Sequence, residues 1–177
     1  VKRLKKGLVQ VYTGEGKGKT TAALGLALRA VGHGFRVYMI QFMKGWPHYG
    51  ELSSAKLLAP HFTLKQFGRA EFVNKNNPAP IDIDEAQRAL KHAQEVVAQD
   101  LCDILILDEA NCALDFGLIS EEQLVGFINS KPAHLELVLT GRGATAKIIA
   151  LADLVTDTKM IKHYYNEKIG AREGIEY

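Results

Sequence analysis

The chain has 177 residues, enough for one domain with a full core and short for two. Hydrophobic residues make up 47% and charged residues 24%, as in ordinary globular proteins, and a formal charge of +2 is too small to imply nucleic acid as a partner. No apolar run approaches a membrane span and no signal-peptide pattern opens the chain. No membrane partner is therefore expected, and the expected location is cytoplasmic. Cys102 and Cys112 lack a CxxC or metal spacing and fit a reducing compartment. Lys2, Arg3, Lys5 and Lys6 read as a solvated basic cluster. The start at Val1 rather than Met raises the expectation that an initiator or a longer N-terminal arm is missing.

Leu8 to Tyr12 reads as a buried strand, Thr13 to Gly18 as a glycine-rich turn, and Lys19-Thr20-Thr21 as the opening of a helix. Glycine at 14, 16 and 18 lets the backbone curl around an anion with its N–H groups inward. The helix start adds unpaired N–H groups and the positive end of its dipole. Lys19 offers a cation to phosphate oxygens and Thr20 a hydroxyl to Mg²⁺. The pattern G-x-x-x-x-G-K-[ST] would put its first glycine at position 13, where Thr13 stands; Gly14 follows one residue later, and Lys17 is an added cation. Strand, loop, Lys-Thr and helix come in the order a triphosphate-binding loop requires. Thr13, Gly14, Glu15, Gly16, Lys17, Gly18, Lys19, Thr20 and Thr21 are its candidate binding residues.

The helix is apolar almost all round from Ala22 to Val31, which predicts deep packing, and Gly32 and Gly34 stop it. Arg36 to Phe42 reads as a strand buried on both faces, as in a parallel sheet. Lys44 to Glu51 is then a loop at the strand end where open α/β sheets hold ligands. A short helix is expected over Leu52 to Leu58, a strand over Phe62 to Phe67, and a long polar loop over Gly68 to Pro80. Asp84 with Gln87 predicts the start of a helix running to about Gln99. Ile104 to Leu107 is a buried strand that delivers Asp108 and Glu109 to its C-terminal end. Ser120 and Gln123 cap a helix to about Asn129, closed by Pro132. Leu135 to Thr140 is a strand leading into Gly141-Arg142-Gly143; a helix over Ala144 to Ala152 and a strand over Leu154 to Ile161 follow. This alternation implies one α/β domain over residues 1–177, with a mainly parallel sheet flanked by helices.

The loop and the acid-ended strand together form a Walker A and Walker B pair for Mg²⁺ on a nucleotide phosphate, with Thr20, Asp108 and Glu109 as candidate metal ligands. Which carboxylate touches the ion is open from sequence. Arg142 is positioned to neutralise charge on a departing phosphate chain, with a surface arginine as the alternative reading. The six histidines show no metal-ligand spacing. His92 reads as a solvated helix residue. His48, beside Trp46 and Tyr49, is a contact candidate set against ordinary loop packing. No side chain stands out as a general base.

Several segments together resemble the ATP:corrinoid adenosyltransferases of the CobA/BtuR/CobO type: TGEGKGKTTAALGLALRAVGHG (13–34), QFMKGW (41–46), LDEANCALDFGLI (107–119), LTGRGA (139–144), DLVT (153–156) and MIKHYYNEKIGAREGIEY (160–177). The resemblance implies a RecA-like P-loop fold and transfer of the 5′-deoxyadenosyl group of ATP to Co(I) of a reduced corrinoid, releasing triphosphate. It also implies Mg²⁺, a homodimer, a flavoprotein reductase supplying Co(I), and ATP lying reversed with its terminal phosphate in the loop. On this reading Lys19, Glu109 and Arg142 are the candidate catalytic residues, and Arg29 and Glu51 match positions near the nucleotide. Where the family commonly has a TGFTW-like segment against the corrin, this chain reads QFGRAEFV, which offers Phe67 and Phe72. The family's N-terminal arm, which often caps the neighbouring site, is absent or reduced to Val1 to Lys6. A RecA-like P-loop NTPase or phosphotransferase is the alternative on the Walker pair alone, and a nucleotide-dependent regulatory module is a third reading.

Overall fold

The computed structural model describes residues 3–177, so Val1 and Lys2 of the basic cluster lie outside the described residues. The sheet has six strands, β1 (Val9–Thr13), β2 (Val37–Phe42), β3 (Phe62–Phe67), β4 (Ile104–Asp108), β5 (Glu136–Thr140) and β6 (Leu154–Asp157). They run in the order β3-β2-β4-β5-β1-β6, every pair parallel. Between them lie α1 (Lys19–Gly32), α2 (Gly50–Leu57), α3 (Pro80–Ala98), α4 (Ala110–Asp115), α5 (Glu121–Ser130) and α6 (Ala146–Leu151), with a 3₁₀ turn at Tyr164–Glu167.

Period-two alternation sorts the strands onto two layers. Tyr38, Ile40 and Phe42 of β2, with Leu105 and Leu107 of β4 and Leu137 and Leu139 of β5, pack under α3, α4 and α5. Val37, Met39, Ile104, Ile106 and Val138 face the other way, onto α1 and α2. Both faces are covered, so the central strands are apolar in continuous runs. Three buried polar residues break those runs on the α1 face, Gln41, Asp108 and Thr140, and the first two stand opposite each other in register. Their burial at the C-terminal sheet edge fixes where the site can form.

The structure departs from the sequence reading at several points. Helix α1 buries a single stripe, Ala23, Ala27 and Ala30, while Leu28 is 61% exposed. Small residues let its axis approach the sheet closely, and its other apolar face looks outward. Helix α3 starts at Pro80 rather than at Asp84, because proline fits the first helical position and the Asp82 carboxylate accepts the Ala79 N–H at 3.0 Å. Strand β6 stops at Asp157, not Ile161: the Thr158 carbonyl turns to accept the Gly16 N–H at 2.7 Å. Helix α4, too short to carry a periodic signal, was not anticipated. Arg3 is exposed, as expected, and at the surface it pairs with Asp100 and approaches His134 at 3.3 Å.

Ala27 has no exposed surface, so Ala27→Leu would overpack the α1–sheet contact. The expected loss is about 1–3 kcal/mol of stability, read as a lower urea midpoint with an unchanged slope.

Candidate functional site

The phosphate loop joins β1, the fifth strand in the sheet order, to α1 at the C-terminal edge of the sheet. Gly14 has φ +96, and a Cβ there would sit 2.1 Å from Asp157 Oδ1 and 2.5 Å from the Thr158 carbonyl. Only glycine tolerates both conditions. Gly18 (φ +115) precedes α1 without a capping side chain, which leaves the first helical N–H groups for an anion. Lys19 is nearly buried and folds over the loop, its ammonium donating to the Gly14 and Gly16 carbonyls at 2.7 Å each. Burial pushes its pKa below the ordinary lysine value, Arg142 adding to the shift and Glu109 opposing it. Thr13 stands behind the loop, its carbonyl taken by the N–H and hydroxyl of Thr158 at 2.9 and 2.8 Å. Glu15, Lys17, Thr20 and Thr21 line the cleft in front.

Asp108 is the polar centre of the site. It is fully buried and accepts four hydrogen bonds: from the Thr20 hydroxyl (2.8 Å) and Thr140 hydroxyl (2.7 Å) on Oδ1, and from the Gln41 amide (3.1 Å) and Lys44 ammonium (2.8 Å) on Oδ2. The neighbouring Glu109 takes a left-handed conformation, φ 61, with its N–H donating to Thr140 Oγ1 at 3.0 Å. That kink separates the two acids: Asp108 stays on the sheet face, and Glu109 lines the cleft. Glu51, in the first turn of α2, also lines the cleft and accepts from Gln41 at 3.0 Å. Arg142 reaches back to the loop, its Nε 3.3 Å from Glu15 Oε2.

Gln41 and Lys44 were not singled out from sequence, and Thr140 and Cys112 were noted there without a role in the site. A glutamine in an otherwise apolar buried strand was the available signal for the first. Burial alone would lower the Lys44 pKa, but the charge and hydrogen bond of Asp108, with Glu109 and Glu51 beyond, hold it above the ordinary value. Burial and Glu109 push the Cys112 thiol well up, so it is a neutral thiol rather than a nucleophile near pH 7.

Other expected residues stand elsewhere. Arg29 is exposed in the last turn of α1, about 15 Å along the helix from Lys19, and does not line the cleft. Phe67 pairs in register with Phe42 on the α3 face, where its ring lies 5.4 Å from His92. His92 is half-buried rather than solvated, 2.8 Å from the Tyr38 hydroxyl. His48 is exposed and edge-on to Trp46, and it is Tyr49 that lines the cleft. Phe72 does reach the cleft, fully exposed in a loop pinned by Arg69 on Asp82 (2.8 and 3.0 Å) and Lys75 on Asp115 (2.6 Å).

The cleft measures about 1460 Å³ and runs from the phosphate loop past the exposed face of α1 to Phe72. Residues Gly174 to Tyr177 close one side, the Tyr177 ring 4.9 Å from that of Trp46. Among the described residues no group of three or more His, Cys, Asp or Glu side chains could hold a metal ion. No helix among them is long and apolar enough to cross a membrane. The donors present are hard oxygens: the Thr20 hydroxyl gives its proton to Asp108 and keeps its lone pairs, and the Glu109 carboxylate faces the cleft. That set fits Mg²⁺ carried in on a nucleotide, with phosphate and water completing its shell.

Fold and loop define a P-loop nucleotide-binding protein of RecA-like architecture, as expected. A KaiC-like protein from Pyrococcus horikoshii OT3 shares the fold, with a TM-score of 0.56 at 14% identity over 87% of this chain and 74% of that one. The chain belongs to the ATP:corrinoid adenosyltransferase BtuR/CobO/CobP family, whose model matches residues 5–177. It is 36% identical over 173 residues to a corrinoid adenosyltransferase of Salmonella typhimurium, covering 97% of this chain and 86% of that protein. A corrinoid adenosyltransferase of Pseudomonas aeruginosa is 33% identical over 175 residues, covering 99% and 86%. Membership makes the chain a transferase and supports ATP-dependent adenosylation of corrinoids, as the resemblance implied.

The depressed Lys19 pKa generates a pH signature. ATP affinity is expected to fall as pH rises through a value below the ordinary lysine pKa of about 10.4. Lys19→Arg, which stays charged, is expected to remove that fall in equilibrium titrations.

Proposed function

We propose that the protein, as one domain, transfers the 5′-deoxyadenosyl group of ATP to the cobalt of a reduced corrinoid and releases triphosphate. The observation that carries this reading is the size and make-up of the cleft. At about 1460 Å³ it exceeds the roughly 300–1,000 Å³ of ordinary small-molecule sites. A cationic cradle at one end and an apolar wall at the other suit a nucleotide beside a large flat macrocycle.

The Co(I) electron pair forms the Co–C5′ bond as the C5′–O bond breaks, its electrons leaving with the triphosphate and cobalt becoming formally Co(III). No proton moves, so the reaction requires no general base. The chain's task is to hold carbon and cobalt in line and to stabilise the leaving charge. Lys19, Lys17, Arg142 and the α1 N-terminus supply that positive potential. Thr20 and Glu109 are the residues that would hold Mg²⁺, which when bound neutralises phosphate charge; Asp108 acts through the Thr20 hydroxyl. Phe72 and the outward face of α1 are the apolar surface for the corrin. A homodimer in the cytoplasm, fed Co(I) by a flavoprotein reductase, completes the reading on the family resemblance.

The test is anaerobic incubation with ATP, Mg²⁺ and chemically reduced Co(I) cobalamin. Loss of the Co(I) absorbance with a light-sensitive product and triphosphate is expected. ADP appearing without corrinoid would replace this reading with an NTPase or phosphotransferase. Phe72→Ala is expected to raise the corrinoid KM about tenfold, the value of a lost aromatic contact of some 1.5 kcal/mol, with ATP affinity unchanged.

A further inference from the structure

Asp108 and Glu109 are adjacent acids at the end of β4, yet they meet the cleft differently. A carboxylate has about four lone-pair positions. On Asp108 all are engaged, and the only full positive charge among its donors is Lys44 at 2.8 Å. Lys44 is itself 15% exposed, lines the cleft, and leaves the sheet just after β2. The charges of Glu109 and Glu51 also act on its ammonium, which lies 5.4 Å from the centre of the Tyr49 ring. It is the hinge between the sheet-face acid and the open cleft.

We propose that Lys44 is a positioning residue that holds Asp108 out of the metal's direct shell, so that Glu109 is the one charged protein ligand facing the nucleotide-bound cation. Lys44 fixes Oδ2, which keeps Oδ1 on the Thr20 hydroxyl and directs that hydroxyl's lone pairs toward the cleft. It also cancels one of two adjacent negative charges that a polyanionic triphosphate would otherwise meet. The site is thereby tuned to accept the cation with the nucleotide rather than ahead of it. The inference rests on the reading that the loop holds a magnesium triphosphate, and does not depend on the corrin.

The experiment measures binding without turnover, on the full chain and without corrinoid. Calorimetry follows Mg²⁺ alone and ATP in EDTA, and Trp46 emission reports locally, since the chain has one tryptophan, two residues from Lys44. For Lys44→Met, Mg²⁺ alone is expected to bind about tenfold tighter and ATP in EDTA about tenfold weaker, opposite signs that follow from adding one net negative charge. Lys44→Arg is expected to restore both. If Lys44→Met folds poorly, Lys44→Met with Asp108→Asn removes both charges and is expected to return Mg²⁺ affinity to that of the unsubstituted protein. Mg²⁺ binding that is unchanged or weakened in Lys44→Met, or that stays tight in the double variant, would overturn the proposal. If the unsubstituted chain binds neither ATP nor Mg²⁺, the nucleotide reading falls and the role of Lys44 with it. If it binds both and the opposite shifts do not occur, only the role of Lys44 falls.

Discussion

A carboxylate with no access to water must find its hydration among protein donors or be costly to the fold. Asp108 meets that demand with groups from four places in the chain: Thr20 at the start of α1, Gln41 in β2, Lys44 beyond it, and Thr140 at the end of β5. The need to satisfy one buried charge thus ties the phosphate loop's helix to three adjacent strand ends. Removing any one donor leaves the others around an incompletely matched anion, so these side chains act as a unit rather than as separate contributions. Gln41 extends the network outward, to Glu51 at 3.0 Å and to Gln66 at 3.0 Å.

The same network depends on how closely α1 can approach the sheet. Its buried stripe is alanine throughout, and larger side chains there would move Thr20 away from Asp108. Leu26 packs at the margin of that core, while half-buried Leu24 and exposed Leu28 form part of the cleft wall. One helix therefore supplies a phosphate-facing end, a core-facing stripe and a ligand-facing stripe.

Much of this was legible in the residues. The glycine loop, the Lys-Thr helix start and the acid-ended strand follow strong local rules, and β3 has the bounds that alternation predicts, Phe62–Phe67. What escaped has identifiable causes. An apolar helix surface reads as core whether it meets the sheet or a cleft, so Leu28 was misplaced. Residue parity in β3 sends Phe67 to the α3 face, but parity can be assigned only when the sheet order is known. Arg29 was carried by resemblance, and helical rise sets it far from the loop. Lys44 lay in a stretch read as loop from its Gly and Pro, and the partner that gives it meaning is more than sixty residues away. Glu109 and Asp108 looked equivalent because a left-handed backbone at Glu109 has no sequence signature of its own.

Strand β1 pairs only with β5 and β6. The loop it feeds is braced by Asp157, Thr158 and Lys159, and Lys17 bonds the Ile175 carbonyl at 3.4 Å. The glycine loop is encoded near the beginning of the sequence, yet the strands beside β1 and the segment that braces its glycines come from the final quarter. During synthesis the glycine loop must wait for some 120 further residues before β1 has a neighbour to pair with. Such long-range closure makes β1 a late arrival in folding. A truncated or stalled chain can bury β2, β3 and β4 together, but it has no means of shaping a phosphate site.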